Sequence, residues 1–242
     1  MDRANAKILA VIPARSGSSR IPNKNIRRLA DKPLIAYIIE TAKKSKFIDK
    51  LILSTDDQQI TDIGISFGID IPFSRPDELS SAKAPLIMVN KHAYNYFKEK
   101  GENFDAVLSL QATSPFLKPQ TIDEMVDLWR KSGCDAVAAI AKVTQAHPFI
   151  TKRIDHELKI TNFCPLDKDV IVGGSQKRET AYYLTGGAYL RSKSLLESDI
   201  SEGHCLGRDS RGVLVSDMEA VDINEEIDFK FAEFILKEGI LV

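Results

Sequence analysis

Short apolar runs alternate with amphipathic stretches along most of this chain, and that alternation narrows its possible folds more than any other feature. The first run, Ile8-Leu9-Ala10-Val11-Ile12, stops at Pro13 and opens into a loop containing Gly and Ser. A run that is apolar at every position has both faces buried, as strands of parallel sheets do. Similar runs follow at Leu51-Ile52-Leu53-Ser54-Thr55, at residues 70–73, at Ala106-Val107-Leu108-Ser109-Leu110 and at residues 136–141. Helical stretches separate them. They cover 33–42, with Pro33 in the first turn, 59–67 with Gly68 as C-cap, 85–100, and 121–131, where Thr121 and Glu124 have capping-box spacing. This order predicts an α/β fold with a mainly parallel sheet and helices on both faces.

The rhythm breaks over residues 147–183, which hold short β-like pieces at 149–152 and 158–160 and a Gly-Gly turn. We read this stretch as an excursion that covers the site or pairs with a second subunit. Strand character returns at 186–190 and 212–215, and an amphipathic helix is expected over 225–237. No repeat or linker interrupts the chain, so its 242 residues are expected to form a single domain, 1–242, carrying the 147–183 excursion.

The net charge of −1 gives no general attraction to nucleic acid or an anionic membrane, so any anion site must be built locally. Cys134, Cys164 and Cys205 match no zinc or redox spacing and are expected to be free thiols. No apolar run approaches the roughly 20 residues that span a bilayer, and the first residues lack a signal-peptide core, so a cytoplasmic location is expected.

The loop after the first run is one-sided in charge. No acid occurs between Asp2 and Asp31, whereas Arg15, Arg20, Lys24, Arg27 and Arg28 all do. In an open parallel sheet, ligands sit beyond the carboxyl ends of the strands, where this loop begins. Gly17 lets the backbone approach a phosphate, and Ser16, Ser18 and Ser19 are small donors. Arginine forks across two phosphate oxygens, and lysine acts as a point charge. Charge alone fits a solvated basic loop as well as a triphosphate grip. Neither GxxxxGK[ST] nor GxGxxG occurs, so a P-loop is absent and a dehydrogenase fits poorly.

The segment Ile12-Pro13-Ala14-Arg15-Ser16-Gly17-Ser18-Ser19-Arg20-Ile21-Pro22-Asn23-Lys24-Asn25 resembles the opening signature of the acylneuraminate cytidylyltransferases, usually close to P-A-R-G-G-S-K-x-[IL]-x-x-K-N. The resemblance continues in order through Lys32-Pro33-Leu34-Ile35, Ser54-Thr55-Asp56, Arg75-Pro76-Asp77-Glu78-Leu79, Leu110-Gln111-Ala112-Thr113-Ser114-Pro115 and Val221-Asp222-Ile223-Asn224. It implies a Rossmann-like three-layer α/β/α nucleotidyltransferase fold. It also implies transfer of a cytidylyl group from CTP to the anomeric hydroxyl of a nonulosonic acid, such as sialic, legionaminic or pseudaminic acid, with release of pyrophosphate. A homodimer is implied as well, in which the partner's excursion caps the sugar pocket.

By the same resemblance, Ala14, Arg15, Ser16, Gly17, Ser18, Arg20, Lys24, Asn25 and Arg75 line the nucleotide, and Gln111, Thr113 and Ser114 line the sugar. Arg15, Lys24 and Asp222 carry the chemistry, and Asp222 with Asn224 takes Mg²⁺. Attack on an α-phosphate asks for such a set, because positioning and charge neutralisation dominate over covalent catalysis. This chain departs from the pattern in four places. Ser19-Arg20 stands where Lys is usual, Asn224 replaces the second acid of D-x-D, and Ala112 replaces Pro. The Arg-x-Gln and Asn-Gly-Ala motifs blur to Ser175-Gln176-Lys177-Arg178 and Thr185-Gly186-Gly187-Ala188-Tyr189. Two rival readings are a nucleotidyltransferase for another base or a sugar phosphate, such as a guanylyltransferase, and a nucleotide-binding protein without catalysis. Asp56 and Asp222 each also fit helix-entry roles, and His147 and Trp129 fit structural ones.

Overall fold

The computed structural model describes residues 3–18, 20–165, 179–198 and 206–240. The Ser175–Arg178 motif, Ser19, Cys205 and the Gly-Gly turn of the excursion lie outside them. A six-stranded sheet forms the middle layer in the order β10-β6-β9-β5-β1-β4. These strands are β1 (Ile8–Pro13), β4 (Lys50–Ser54), β5 (Ala106–Leu110), β6 (Ala136–Lys142), β9 (Tyr182–Ser192) and β10 (Ser210–Leu214). All pair in parallel except β9, which runs antiparallel to both β5 and β6.

The alternation of side chains along β1 fixes the layers. Ile8, Ala10 and Ile12 face one core with α1 (Leu34–Lys43), α2 (Gln58–Ser66) and α5 (Pro119–Ser132). Leu9 and Val11 face the other core with α4 (Leu86–Glu99) and α6 (Lys193–Glu197). Both faces of the strand are therefore buried, as the unbroken apolar run requires. A third cluster joins α7 (Glu226–Lys237) to Ile21, Leu29, Leu34, Phe116 and Ile223, all of them buried. The terminal helix thereby pins the loop after β1 to the segment holding Asp222. The short β2 (Arg28–Leu29) and β3 (Lys32–Pro33) close a small hairpin beside it, and α3 (Asp77–Ser80) follows Arg75.

Four local expectations change. Thr121 is not an N-cap: α5 begins at Pro119, and the Thr121 hydroxyl donates to the buried Glu219 carboxylate at 2.5 Å. Glu219 also accepts from the Lys118 N–H, so a remote acid caps this helix. The stretch 70–73 reduces to isolated bridges at Asp70 and Ser74, because two prolines nearby interrupt its pairing. The excursion's strands are β7 (Lys152–Ile154) and β8 (Ile160–Asn162), a separate exposed hairpin shifted along the chain from the expected pieces. Residues 147–151 instead form a turn in which the Ile150 and Thr151 N–H groups both donate to the His147 carbonyl. Among the described residues no helix is long and apolar enough to cross a membrane.

Candidate active site

The carboxyl ends of β1, β4 and β5 meet the loop 14–25, Arg75 and the segment 222–224. Ala14 continues the sheet, with its N–H on Ser54 O at 3.0 Å and its side chain in the core. The chain then turns outward through Gly17, whose φ of 69° favours glycine. Arg15 folds along its own loop, donating from Nη1 to the Ser16 and Gly17 carbonyls at 3.1 and 2.8 Å. Asn25 Nδ2 closes the loop onto Arg15 O at 3.2 Å. Arg15, Ser16, Gly17, Ser18, Lys24 and Asn25 line one recess with Asp57 and Ile60.

Two adjacent acids follow β4, and they divide the work. Asp57 caps α2, accepting from Ile60 N at 3.0 Å. Asp56 accepts from the Ser16 N–H at 2.9 Å and the Ser16 hydroxyl at 2.6 Å, so it anchors the loop and does not cap the helix. Burial alone would raise the Asp56 carboxyl, but these two hydrogen bonds, with Arg75 nearby, hold it below the usual carboxylate range. Reading the sequence missed this role. The signal was present: after one strand, two consecutive acids cannot both be the N-cap of one helix.

Arg75 is buried at 4 % exposure. Its Nε donates to Ser54 Oγ at 3.1 Å, and Nη2 donates to the Ser54 carbonyl. Burial lowers its guanidinium to about 10, with Asp56 opposing the shift and Arg15 adding to it. Arg75 thus stands at the strand edge beside the loop, anchored by β4.

Lys24 joins the loop to the far segment. Its Nζ donates to Ile223 O at 2.7 Å, while the Ile223 N–H donates to Thr113 O at 2.8 Å. Burial pushes the Lys24 ammonium below its ordinary value; Asp222 opposes this, and Arg20 and Arg15 add to it. Asp222 is half-buried and receives the Asn224 amide on Oδ2 at 2.6 Å. Arg20 Nη2 reaches Asn224 Oδ1 at 3.4 Å. Gly186, with φ of 84°, lies so close that a Cβ there would stand 3.7 Å from Asp222 Oδ2.

The residues expected on the sugar side follow β5. Gln111 donates its N–H to Gly187 O at 2.9 Å and its Nε2 to Ser109 Oγ at 3.0 Å. Thr113 is half-buried and holds Ile223 through its backbone. Ser114 is 1 % exposed and lies under Gly187, where a Cβ would stand 2.8 Å from Ser114 Oγ. It packs the floor of the site and offers no open face. Gly186 and Gly187 occupy an irregularity where β9 shifts register against β6, a device that re-aims backbone beside functional sites. His147 is engaged by its own turn and by Glu179 O at 2.9 Å. Trp129 is buried in the core.

Among the described residues no group of three or more His, Cys, Asp or Glu stands ready for a metal. One carboxylate with an amide beside it suits a hard cation that keeps its waters and takes phosphate oxygens, and does not suit a cation that needs a full protein cage.

Comparison with known proteins points to one family. A family model described as cytidylyltransferase matches residues 9–159. The chain is 31% identical over 233 residues to the CMP-N,N'-diacetyllegionaminic acid synthase of Legionella pneumophila, covering 96% of this chain and 97% of that one. It is 29% identical over 233 residues to a pseudaminic acid cytidylyltransferase of Campylobacter jejuni, with coverage of 96% and 97%. A solved structure of CMP:2-keto-3-deoxy-manno-octonic acid synthetase complexed with CTP superposes with a TM-score of 0.72 at 15% identity, covering 97% of this chain and 100% of that one, which supports the fold. On these matches, and with the loop after β1 placed at the strand ends as described, the chain belongs to the cytidylyltransferase family.

Proposed function

We propose that this protein transfers the cytidylyl group of CTP to the anomeric hydroxyl of a nonulosonic acid. The observation that carries the reading is the Lys24–Ile223–Thr113 chain of hydrogen bonds, which ties the cationic loop to Asp222 and to the loop after β5. End-to-end similarity to an enzyme named for CMP-legionaminic acid synthesis supports the same substrate class.

In this reading Arg15, Ser18 and Lys24 hold the triphosphate, Asn25 fixes the loop around it, and Arg75 faces the nucleotide from the β4 edge. The anomeric oxygen attacks the α-phosphorus in line, the bond to the β-phosphate oxygen breaks, the hydroxyl proton is released, and pyrophosphate leaves. The cations of the loop stabilise the leaving pyrophosphate, so the rate comes from positioning and electrostatics. Asp222 would hold Mg²⁺, which when bound neutralises phosphate oxygens. Gln111 and Thr113, beyond β5, lie where the sugar acid would approach. CTP is a metabolite of the cytoplasm, and that is the compartment we assign.

The excursion 147–183 is assigned to a homodimer that closes the sugar side. Its described part exposes Ile154, Leu158, Ile160 and Phe163, a large apolar content for a free hairpin. Pyrophosphate release with each of the four nucleoside triphosphates, against sialic, legionaminic and pseudaminic acids, Kdo and a hexose 1-phosphate, tests the reaction. Turnover is expected with CTP and a nine-carbon acid. Turnover with GTP and a sugar phosphate would favour the guanylyltransferase rival. Tight CTP binding with no pyrophosphate from any acid would favour the non-catalytic one.

A further inference from the structure

Asn224 is engaged at both ends of its amide. Nδ2 donates to Asp222 Oδ2 at 2.6 Å, and Oδ1 accepts from Arg20 Nη2 at 3.4 Å. The neighbours dictate this orientation, because a carboxylate only accepts and a guanidinium only donates. A neutral amide can therefore bridge the two, whereas an aspartate in the same place would set a second carboxylate against Asp222. The backbone of Asn224 is fixed independently: its N–H and that of Glu225 both donate to Asp228 Oδ2, at 2.9 and 2.8 Å.

Arg20 is held only lightly. Its nearest acid is Glu225 at 3.9 Å, with side chains 60% and 64% exposed. Exposed pairs of that kind contribute little. The guanidinium therefore remains available to an incoming anion.

We propose that Asn224 is a bridge and not a cation ligand. Among the described residues it leaves Asp222 as the one carboxylate of this segment open to a divalent cation and keeps Arg20 from being neutralised, so that Arg20 carries part of the triphosphate charge. The inference rests on the cytidylyltransferase reading and deepens it: a neutral amide, backed by a guanidinium, stands where a second acid would otherwise recruit more metal. Two residues at which the chain departs from the pattern of the resemblance, Arg20 and Asn224, then form one arrangement.

The test is calorimetry of CTP binding in EDTA across a range of NaCl, with Mn²⁺ binding to the protein–CTP complex followed by electron paramagnetic resonance. Wild-type protein is expected to bind CTP without metal, more weakly as salt rises. Arg20→Ala should weaken this binding roughly tenfold and flatten its salt dependence. Asn224→Asp should weaken metal-free CTP binding several-fold, because the new acid pairs with Arg20, and should tighten Mn²⁺ roughly tenfold. Asn224→Ala should leave Mn²⁺ affinity within about twofold, because it removes no ligand. Thermal melts of each variant check folding. An Arg20→Ala protein with unchanged metal-free CTP binding overturns the proposal, as does a tenfold loss of Mn²⁺ affinity in Asn224→Ala. Wild-type protein that binds CTP only with Mn²⁺ present also overturns it, since Arg20 would then carry no charge by itself. Wild-type protein that binds no CTP under either condition sinks the cytidylyltransferase reading itself.

Discussion

A carboxylate among arginines ordinarily weakens an anion site, yet Asp56 is spent on the loop and not on the ligand. Its two bonds to Ser16 set where the loop leaves β1. Asp56→Ala should lower stability by about 1–2 kcal/mol, less than a fully buried charged hydrogen bond is worth, because the pair is partly open to water. The pH dependence has a defined sign. The folded carboxyl lies below its unfolded value, so the stabilisation is complete above the unfolded pKa of about 4 and fades as pH falls through the folded one. Thermal melts of wild type and variant should therefore differ at pH 7 and converge under acid; a gap that persists or widens there would assign the effect to packing. Arg15 braces the same loop through two carbonyls. Arg15→Ala should cut kcat/KM for CTP about 100-fold or more with the melt little changed, and near-normal kinetics would remove it from the triphosphate site.

The elements around the site owe their form to burial on one side and turns on the other. Runs such as Ile8–Pro13 and Ala106–Leu110 were legible because nearly every position is apolar, and the loop beyond β1 was legible because its charge is one-sided. The start of α5 was not, since Thr121 meets Glu219, 98 residues away, and no local spacing reports that bond. The role of Gly187 was equally hidden. Its missing Cβ makes room for Ser114, a contact between β9 and the loop after β5 that only the antiparallel pairing creates. Gly187→Ala should lower both the melting temperature and turnover. Adding Ser114→Ala to Gly187→Ala should restore part of both, because the 2.8 Å contact to Oγ is removed while the 3.1 Å contact to the Ser114 Cβ stays. No rescue by the second change would place the defect in the β9 backbone instead.

For the molecule as a whole, three clusters explain how distant segments converge. Two cover the faces of the sheet, and the third lets α7 clamp Ile21 and Ile223 together, so residues near 20 and near 222 meet despite their separation in sequence. The sequence order of strands and helices carried the layered architecture, and the ordered motifs carried the family. The antiparallel placement of β9 was beyond reach of periodicity, since apolar alternation does not record strand direction. The β7–β8 hairpin has no buried face within the described chain, so local patterning located it poorly. Sedimentation at micromolar concentration should give a dimer mass, and Ile154→Asp with Ile160→Asp should shift it to monomer; a monomeric wild type contradicts the proposed role of the excursion.

Phosphorus NMR of the protein with CTP, Mg²⁺ and a mixture of legionaminic, pseudaminic and sialic acids with Kdo tests cytidylyl transfer most directly. The predicted result is one new phosphodiester resonance from a CMP–sugar, appearing together with an equal amount of pyrophosphate and absent when CTP is replaced by GTP. Inorganic phosphate in place of pyrophosphate, or CTP left intact with every acid, would contradict it.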